Sequence, residues 1–135
     1  TGHDENISFE EGTNLVGLDL MEWLKESTLS LYKEARDYAL DRGIILADTK
    51  FEFGQLAGVE KPLLIDEIFT PDCSRFWLYD QENQKIDFDA FDKQFFRDYL
   101  IENKWDHKQI TIPENIKNEI ISKYNKAYEL ITYEK

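Results

Sequence analysis

At 135 residues the chain is the size of one ordinary domain and long enough to bury a core. An apolar share of 41% with 14% aromatics excludes an intrinsically disordered segment. Acidic residues outnumber basic ones 28 to 16, for a formal net charge of −12; this excludes a broad nucleic-acid-binding face, but not a local anion pocket around one or two arginines.

A single cysteine, Cys73, leaves no internal disulfide framework. No run approaches the roughly 18 to 20 apolar residues of a membrane span. The opening TGHDENIS is polar and acidic, unlike a signal peptide. A reducing, cytoplasmic setting is the expectation. The chain starts without Met in what reads as mid-loop, as a processed chain, a cut chain or a fragment would.

From Ser8 to Arg42 the pattern is helical, with Leu20, Leu24, Leu31, Ala35 and Tyr38 at spacings near 3.6. Gly12 and Gly17 predict a short helix or break at its front, and Gly43 a left-handed cap at its end. Ser8 with Glu11 has capping-box spacing. Residues 44–53 then switch to a strand-like pattern. A loop with Gly54, Gly58 and Pro62 follows, then a second apolar run from Leu63 to Phe69; together they predict a β-hairpin with a long connection. Residues 70–90 read as irregular, with a turn at Thr70-Pro71-Asp72. Phe91, Phe95 and Tyr99 form a helical stripe with Asp89 as its N-cap. A last helix starts near Thr111 to Glu114, around Pro113, and buries Ile116, Ile120, Tyr124, Ala127 and Ile131. The expected fold is α+β: an antiparallel hairpin or sheet packed with a long helix and two C-terminal helices, in one unit over residues 1–135.

The stretch ILADTKFEFG opens like core and then places Asp48, Lys50 and Glu52 at every second position. A strand puts these on one face, with Thr49, Phe51 and Phe53 on the other. An antiparallel return could bring Glu52 beside either Asp66 or Glu67, but not both. Pairing of Phe53 with Pro62 would send Asp66 to the wrong face, and a one-residue shift or bulge would correct it. Two such carboxylates suit Mg²⁺ shared with substrate phosphates better than zinc or a calcium cage. The structural alternative is a surface strand whose alternating charges pair with a neighbour.

In Thr70-Pro71-Asp72-Cys73-Ser74-Arg75-Phe76-Trp77, one Arg sits among small hydroxyl and thiol groups, a phosphate or carboxylate clamp in composition. The alternative there is a turn whose Arg75 pairs with Asp72. Cys73 lacks a convincing base, since His3 and His107 are both remote in sequence, so a packed or exposed thiol is the better reading. His3-Asp4-Glu5-Asn6 reads locally as a helix-entry loop, and His107 as surface. The aromatic stripes read as core. Neither G-x-x-x-x-G-K-[ST] nor G-x-G-x-x-G occurs, so a phosphate-gripping loop for any nucleotide must lie elsewhere.

LADTKFEFG, then LLIDEIFTPDCSRFW, then FDKQFFRDYL resemble the C-terminal half of the SAICAR synthetase (phosphoribosylaminoimidazole-succinocarboxamide synthase) family, and GHDENIS resembles the loop before its long helix. The resemblance covers nearly the whole chain in the family's order. It implies one lobe of an ATP-grasp-related fold and an ATP-dependent ligase of purine biosynthesis. That enzyme joins L-aspartate to carboxyaminoimidazole ribotide (CAIR), with Mg²⁺, to give SAICAR, ADP and phosphate. By this resemblance Glu52 and Asp66 are the magnesium ligands. Asp48 and Lys50 line the catalytic cleft, where Lys50 counters anionic ligands and substrates. Arg75 contacts the substrate's ribose phosphate beside Ser74, while Asp4 lies near the aminoimidazole and Asp72 belongs to the same wall. Cys73 departs from the serine or glycine more familiar there. The family's N-terminal ATP-gripping lobe and its Gly-Ser substrate motif are not in these residues, so the chain is expected to be inactive alone and weak in ATP affinity. A homo-oligomer stays open, while no nucleic acid or membrane partner is expected. The reading from another class is a non-catalytic acidic module that binds a metal or partner through the same carboxylates.

Overall fold

A computed structural model describes residues 5–106 and 108–132. Helix α1 (Phe9–Val16) is opened by the expected capping box: Ser8 Oγ accepts from the Glu11 N–H at 3.1 Å, and the Glu11 carboxylate accepts from the Ser8 N–H at 2.7 Å. Those bonds, the backbone one foremost, hold the Glu11 carboxyl below its ordinary value. Gly17, at φ 88°, breaks the helix before α2 (Leu18–Leu40) begins. A second left-handed glycine, Gly43 at φ 74°, turns the chain out of α2 and straight into strand β1 (Ile44–Thr49). Both stops were legible as glycines in the sequence.

Strands β2 (Glu52–Gly54) and β3 (Leu63–Ile65) form a two-stranded antiparallel sheet. β4 (Ser74–Asp80) and β5 (Lys85–Asp87) complete a second sheet in the order β1-β4-β5. The expected single hairpin between residues 44–53 and 63–69 is therefore corrected. Only its inner ends pair with one another, and β1 takes β4 as its partner. Residues 70–90 are likewise not irregular. β4 escapes a period-two reading because both its faces are apolar: Phe76 packs in the core, while Trp77 on the other face meets Phe88 edge-on at 4.9 Å.

Helix α3 (Gln94–Glu102) starts later than expected. Asp89 does not cap it; its N–H bonds to the Asp87 carboxylate and its carbonyl accepts from Asp92, so residues 87–92 are spent on turns. Asp92 Oδ1 instead accepts from the Gln94 N–H at 2.9 Å. Helix α4 (Glu114–Thr132) begins where Pro113 predicts.

The core is Ala39 of α2, Ile44 and Leu46 of β1, Phe76 of β4, Phe91, and Ala127 of α4. The helices α2 and α4 cover one face of the three-stranded sheet and are tied together by the Tyr38 hydroxyl on the Ile131 carbonyl at 2.9 Å. A separate aromatic file seats the small sheet: Trp23 of α2 against Phe53 (5.8 Å), Phe53 against Phe51 (6.4 Å), and Phe51 against Phe69 (5.1 Å).

Two local devices fix the backbone near the charged strand. In the β1–β4 ladder, Ile44 to Leu46 pair with Leu78 to Phe76, but Asp48 and Thr49 then pair with Arg75 and Ser74. Ala47 is thus an extra residue, a β-bulge. The Tyr32 hydroxyl of α2 donates to the Leu46 carbonyl at 2.8 Å and lies 3.5 Å from that of Ala47, satisfying backbone at the bulge. Just before β4, Asp72 joins the start of α3 to α4: the Tyr124 hydroxyl lies 2.7 Å from both its oxygens, and Lys93 Nζ forms an ion pair with it. Bonds from Lys93 first and Tyr124 second hold the Asp72 carboxyl below the usual carboxylate range. Burial works against the Lys93 ammonium, but the bonds to Asp72 and Tyr124 outweigh it and raise its pKa.

Tyr32→Phe is expected to lower stability by about 1 kcal/mol, the loss of one net hydrogen bond, in urea unfolding. For Asp72 the folded pKa is depressed, so its contribution is present above its ordinary pKa and lost as pH falls through the folded one. Raised Lys93 contributes below the ordinary lysine pKa and loses its contribution as pH rises through its folded value. Asp72→Asn is accordingly expected to be less stable than the parent at neutral pH. The gap in urea midpoint should close on acidification to about pH 2.

Candidate active site

The bulge sets the geometry of the charged face. Ile44 and Leu46 are 0% and 2% exposed, so even-numbered residues of β1 face the core up to that point. Unbroken alternation would send Asp48 inward as well. The extra residue reverses the phase, and Asp48 faces out, opposite Arg75, with its carboxylate 2.7 Å from the guanidinium. Thr49 and Ser74 sit opposite one another, with hydroxyls 2.8 Å apart. The pairing runs one residue further, where the Lys50 N–H donates to the Cys73 carbonyl at 3.0 Å. Lys50 Nζ then meets Glu52 at 2.7 Å. Arg75, Asp48, Lys50 and Glu52 therefore form a line of alternating sign, as the period-two reading of residues 48–53 expects. All four are accessible: their side chains are 42–67% exposed.

The small sheet places the two acidic candidates. Phe53 pairs with Leu64 and Glu52 with Ile65, a register two residues from the Phe53–Pro62 pairing and of the same parity. A continued pleat would turn Asp66 away from Glu52. The pleat stops there, however: Asp66 has φ 63°, a left-handed conformation that Asp tolerates better than most residues. Pairing register does not aim its carboxylate, and the turn does. Among the described residues no group of three or more His, Cys, Asp or Glu side chains is placed to hold a metal ion. A pair of carboxylates such as the expected Glu52 and Asp66 falls below that number, and is the number Mg²⁺ takes from protein when phosphates and water supply the rest.

The turn before β4 is held by Thr70, whose Oγ1 accepts from the Asp72 and Cys73 N–H groups at 3.3 Å and donates to Glu67. Burial pushes the Cys73 thiol up, but bonds from Ser74 and Thr70 outweigh it and bring it below its ordinary value. Arg75 is paired with Asp48 and not with Asp72. A cavity of about 470 Å³ opens beside the turn, with Ser74, Arg75, Lys93 and Arg97 in its wall together with Asp89 and Asp92. Three of a net-acidic chain's cations thus line one hollow.

The structure pairs Asp48 with Arg75 and sets Thr49 against Ser74 on the β1–β4 ladder, links Lys50 to Glu52 of the small sheet by an ion pair, and gives Asp72 to a contact with Lys93 and Tyr124. Asp4 and His107 lie outside the described residues. Lys93, Arg97 and Tyr124 were not foreseen as site residues. Lys93 and Arg97 are four apart in FDKQFFRDYL, a spacing that puts both at the entrance of α3, but only the fold shows what they face.

A family model described as SAICAR synthetase matches residues 1–112. The phosphoribosylaminoimidazole-succinocarboxamide synthase of Schizosaccharomyces pombe is 45% identical over 135 residues, covering 99% of this chain and 45% of the relative. That of Methylococcus capsulatus is 49% identical, covering 98% and 45%. Among solved structures, SAICAR synthase from Saccharomyces cerevisiae complexed with SAICAR superposes with a TM-score of 0.78 at 42% identity, over 98% of this chain and 44% of that one. A type-2 SAICAR synthetase in complex with ADP gives 0.65 at 30% identity, over 98% and 47%. The chain spans about half the length of the curated relatives it matches. With a family model over most of its residues and relatives aligned along nearly all of them, this chain belongs to the SAICAR synthetase family.

Proposed function

We propose that this chain is the metal- and substrate-bearing half of an ATP-dependent ligase that joins L-aspartate to the carboxylate of CAIR, forming SAICAR, ADP and phosphate. The observation that carries this reading is the phase reversal at Ala47. It puts Asp48, Lys50 and Glu52 on an accessible face in line with Arg75, which with Lys93 and Arg97 lines a cavity. An acceptor for phosphate and a set of hard oxygen ligands are what carboxylate activation by ATP requires. The relative complexed with SAICAR and the one with ADP supply the substrate classes.

In this reading Glu52 and Asp66 would hold Mg²⁺, which would supply charge neutralisation for the phosphoryl group being transferred. Lys50 keeps positive charge beside Glu52 and the phosphates. Arg75 pairs with Asp48 through one terminal nitrogen, and in this reading its guanidinium also meets the ribose phosphate of CAIR. The Ser74 hydroxyl, anchored on Thr49, stands beside it. Asp72 steadies the wall from behind. The aspartate amine must be held against the activated carbonyl, a proximity effect that needs groups from both halves of the enzyme. We place the enzyme in the cytoplasm; among the described residues no helix is long and apolar enough to cross a membrane.

The test is ATP- and aspartate-dependent amide formation by the full-length protein. Glu52→Gln and Asp66→Asn are each expected to lower kcat to about one per cent or less, the scale of losing one electrostatic contact in the transition state. Full activity in both variants sinks the metal assignment. The isolated half is expected to show no turnover, and turnover by it would refute the need for the remaining half.

A further inference from the structure

Tyr124 comes from α4, 52 residues after Asp72, and is not among the residues that line the cavity. It nevertheless closes a ring behind it. Lys93 has three N–H donors, and three acceptors meet them: Asp72 Oδ1, the Pro71 carbonyl at 3.0 Å and the Tyr124 hydroxyl at 3.3 Å. The Tyr124 oxygen accepts from Lys93 while its proton goes to the Asp72 carboxylate, both of whose oxygens are 2.7 Å away. The Lys93 side chain is only 17% exposed, against 53% for that of Asp72. Its donors are thus spent inside the protein, and what it offers the cavity is charge held in one place. Pro71, Ser74 and Arg75, on the same turn, line that cavity with it.

We propose that Tyr124 is a positioning residue for the anionic substrate: through Asp72 and Lys93 it clamps the Pro71–Arg75 turn, so that Ser74 and Arg75 meet the phosphate already oriented. The inference rests on the assignment of this cavity to CAIR. It gives Asp72 a part in the clamp in place of contact with substrate. It also explains why a fully bonded lysine stands in the wall of an anion site. Loss of the hydroxyl frees one Lys93 donor and one carboxylate lone pair, and the turn loses its tie to α4.

The experiment measures kcat and the three KM values on the full-length protein. Tyr124→Phe, which keeps the ring, is expected to raise KM for CAIR about tenfold, the loss of one charge-assisted hydrogen bond. KM for ATP, KM for aspartate and kcat should stay within about twofold. Asp72→Asn should do the same, and the double variant should be no worse than the worse single one, because both break one ring. An unchanged KM for CAIR in both single variants overturns the clamp. So does an equal rise in all three KM values, which marks a general structural defect, and so does additivity in the double variant. Arg75→Ala separates the two levels: an unchanged KM for CAIR there overturns the assignment of the cavity to the anion, and the clamp's purpose falls with it.

Discussion

A single extra residue in β1 governs how this domain can have a core and a charged face on the same strand. Ile44 and Leu46 commit the even positions to the interior, where α2 and α4 cover them. Continued alternation would carry the Asp48 carboxylate into that interior. Burying an unpaired charge there costs several kcal/mol, more than the strand's own pairing could offset. The bulge at Ala47 removes the conflict. It returns the odd positions to the inside, where Thr49 bonds Ser74 and the phenylalanines Phe51 and Phe53 pack, and it turns Asp48, Lys50 and Glu52 outward together. Tyr32 meets the backbone carbonyls at this point, so the helix that covers the core also holds the break that opens the site.

The same economy applies to the smaller sheet. A two-stranded ribbon is marginal in water unless something packs on it. Here Trp23, Phe53, Phe51 and Phe69 form a file of edge-to-face rings from α2 through β2 to the turn after β3. Phe69 accepts a left-handed backbone, φ 52°, rare for an aromatic residue, at the end of that file. Asp66 does the same three residues earlier. The aromatic contacts therefore hold a tight, locally strained turn immediately after the paired strands, and the direction of the Asp66 carboxylate comes from that turn.

Much of this was readable from residues whose effect is local. The Ser8 and Glu11 capping box, the stops at Gly17 and Gly43, the start of α4 after Pro113 and the alternation from Asp48 to Phe53 all act over a few positions, and the fold contains each of them. What escaped is nonlocal or lacks contrast. β4 carries Phe76 and Leu78 on one face and Trp77 and Tyr79 on the other, so no period of two emerges from it. The apolar run Ile44 to Ala47 hides the bulge for the same reason, although the switch from even to odd apolar positions is present in the letters. Partner choice for β1 is a competition between two later strands that local pattern does not decide. The tie between Asp72 and Tyr124 spans 52 residues, and Lys93 announces itself only once α3 and the turn before β4 are side by side.

The ion pairs along the ladder also differ in what they can do. Asp48 with Arg75 and Lys50 with Glu52 are more than two-fifths exposed on every member, and such surface pairs contribute about 0–1 kcal/mol. Stability alone gives little reason to place four charges on so short a stretch. Weak pairs have a different use: they neutralise one another at rest and exchange partners at little cost when a stronger counter-charge arrives. Under the proposed function, Glu52 would leave Lys50 for a divalent cation, and Lys50 would stay to face the anionic reactants. The Asp72–Lys93 pair is built the other way, with a tyrosine bonded to both members and the lysine largely enclosed, so exchange there is costly. The exchangeable pairs lie along the exposed charged face, and the fixed pair lies beside the turn before β4.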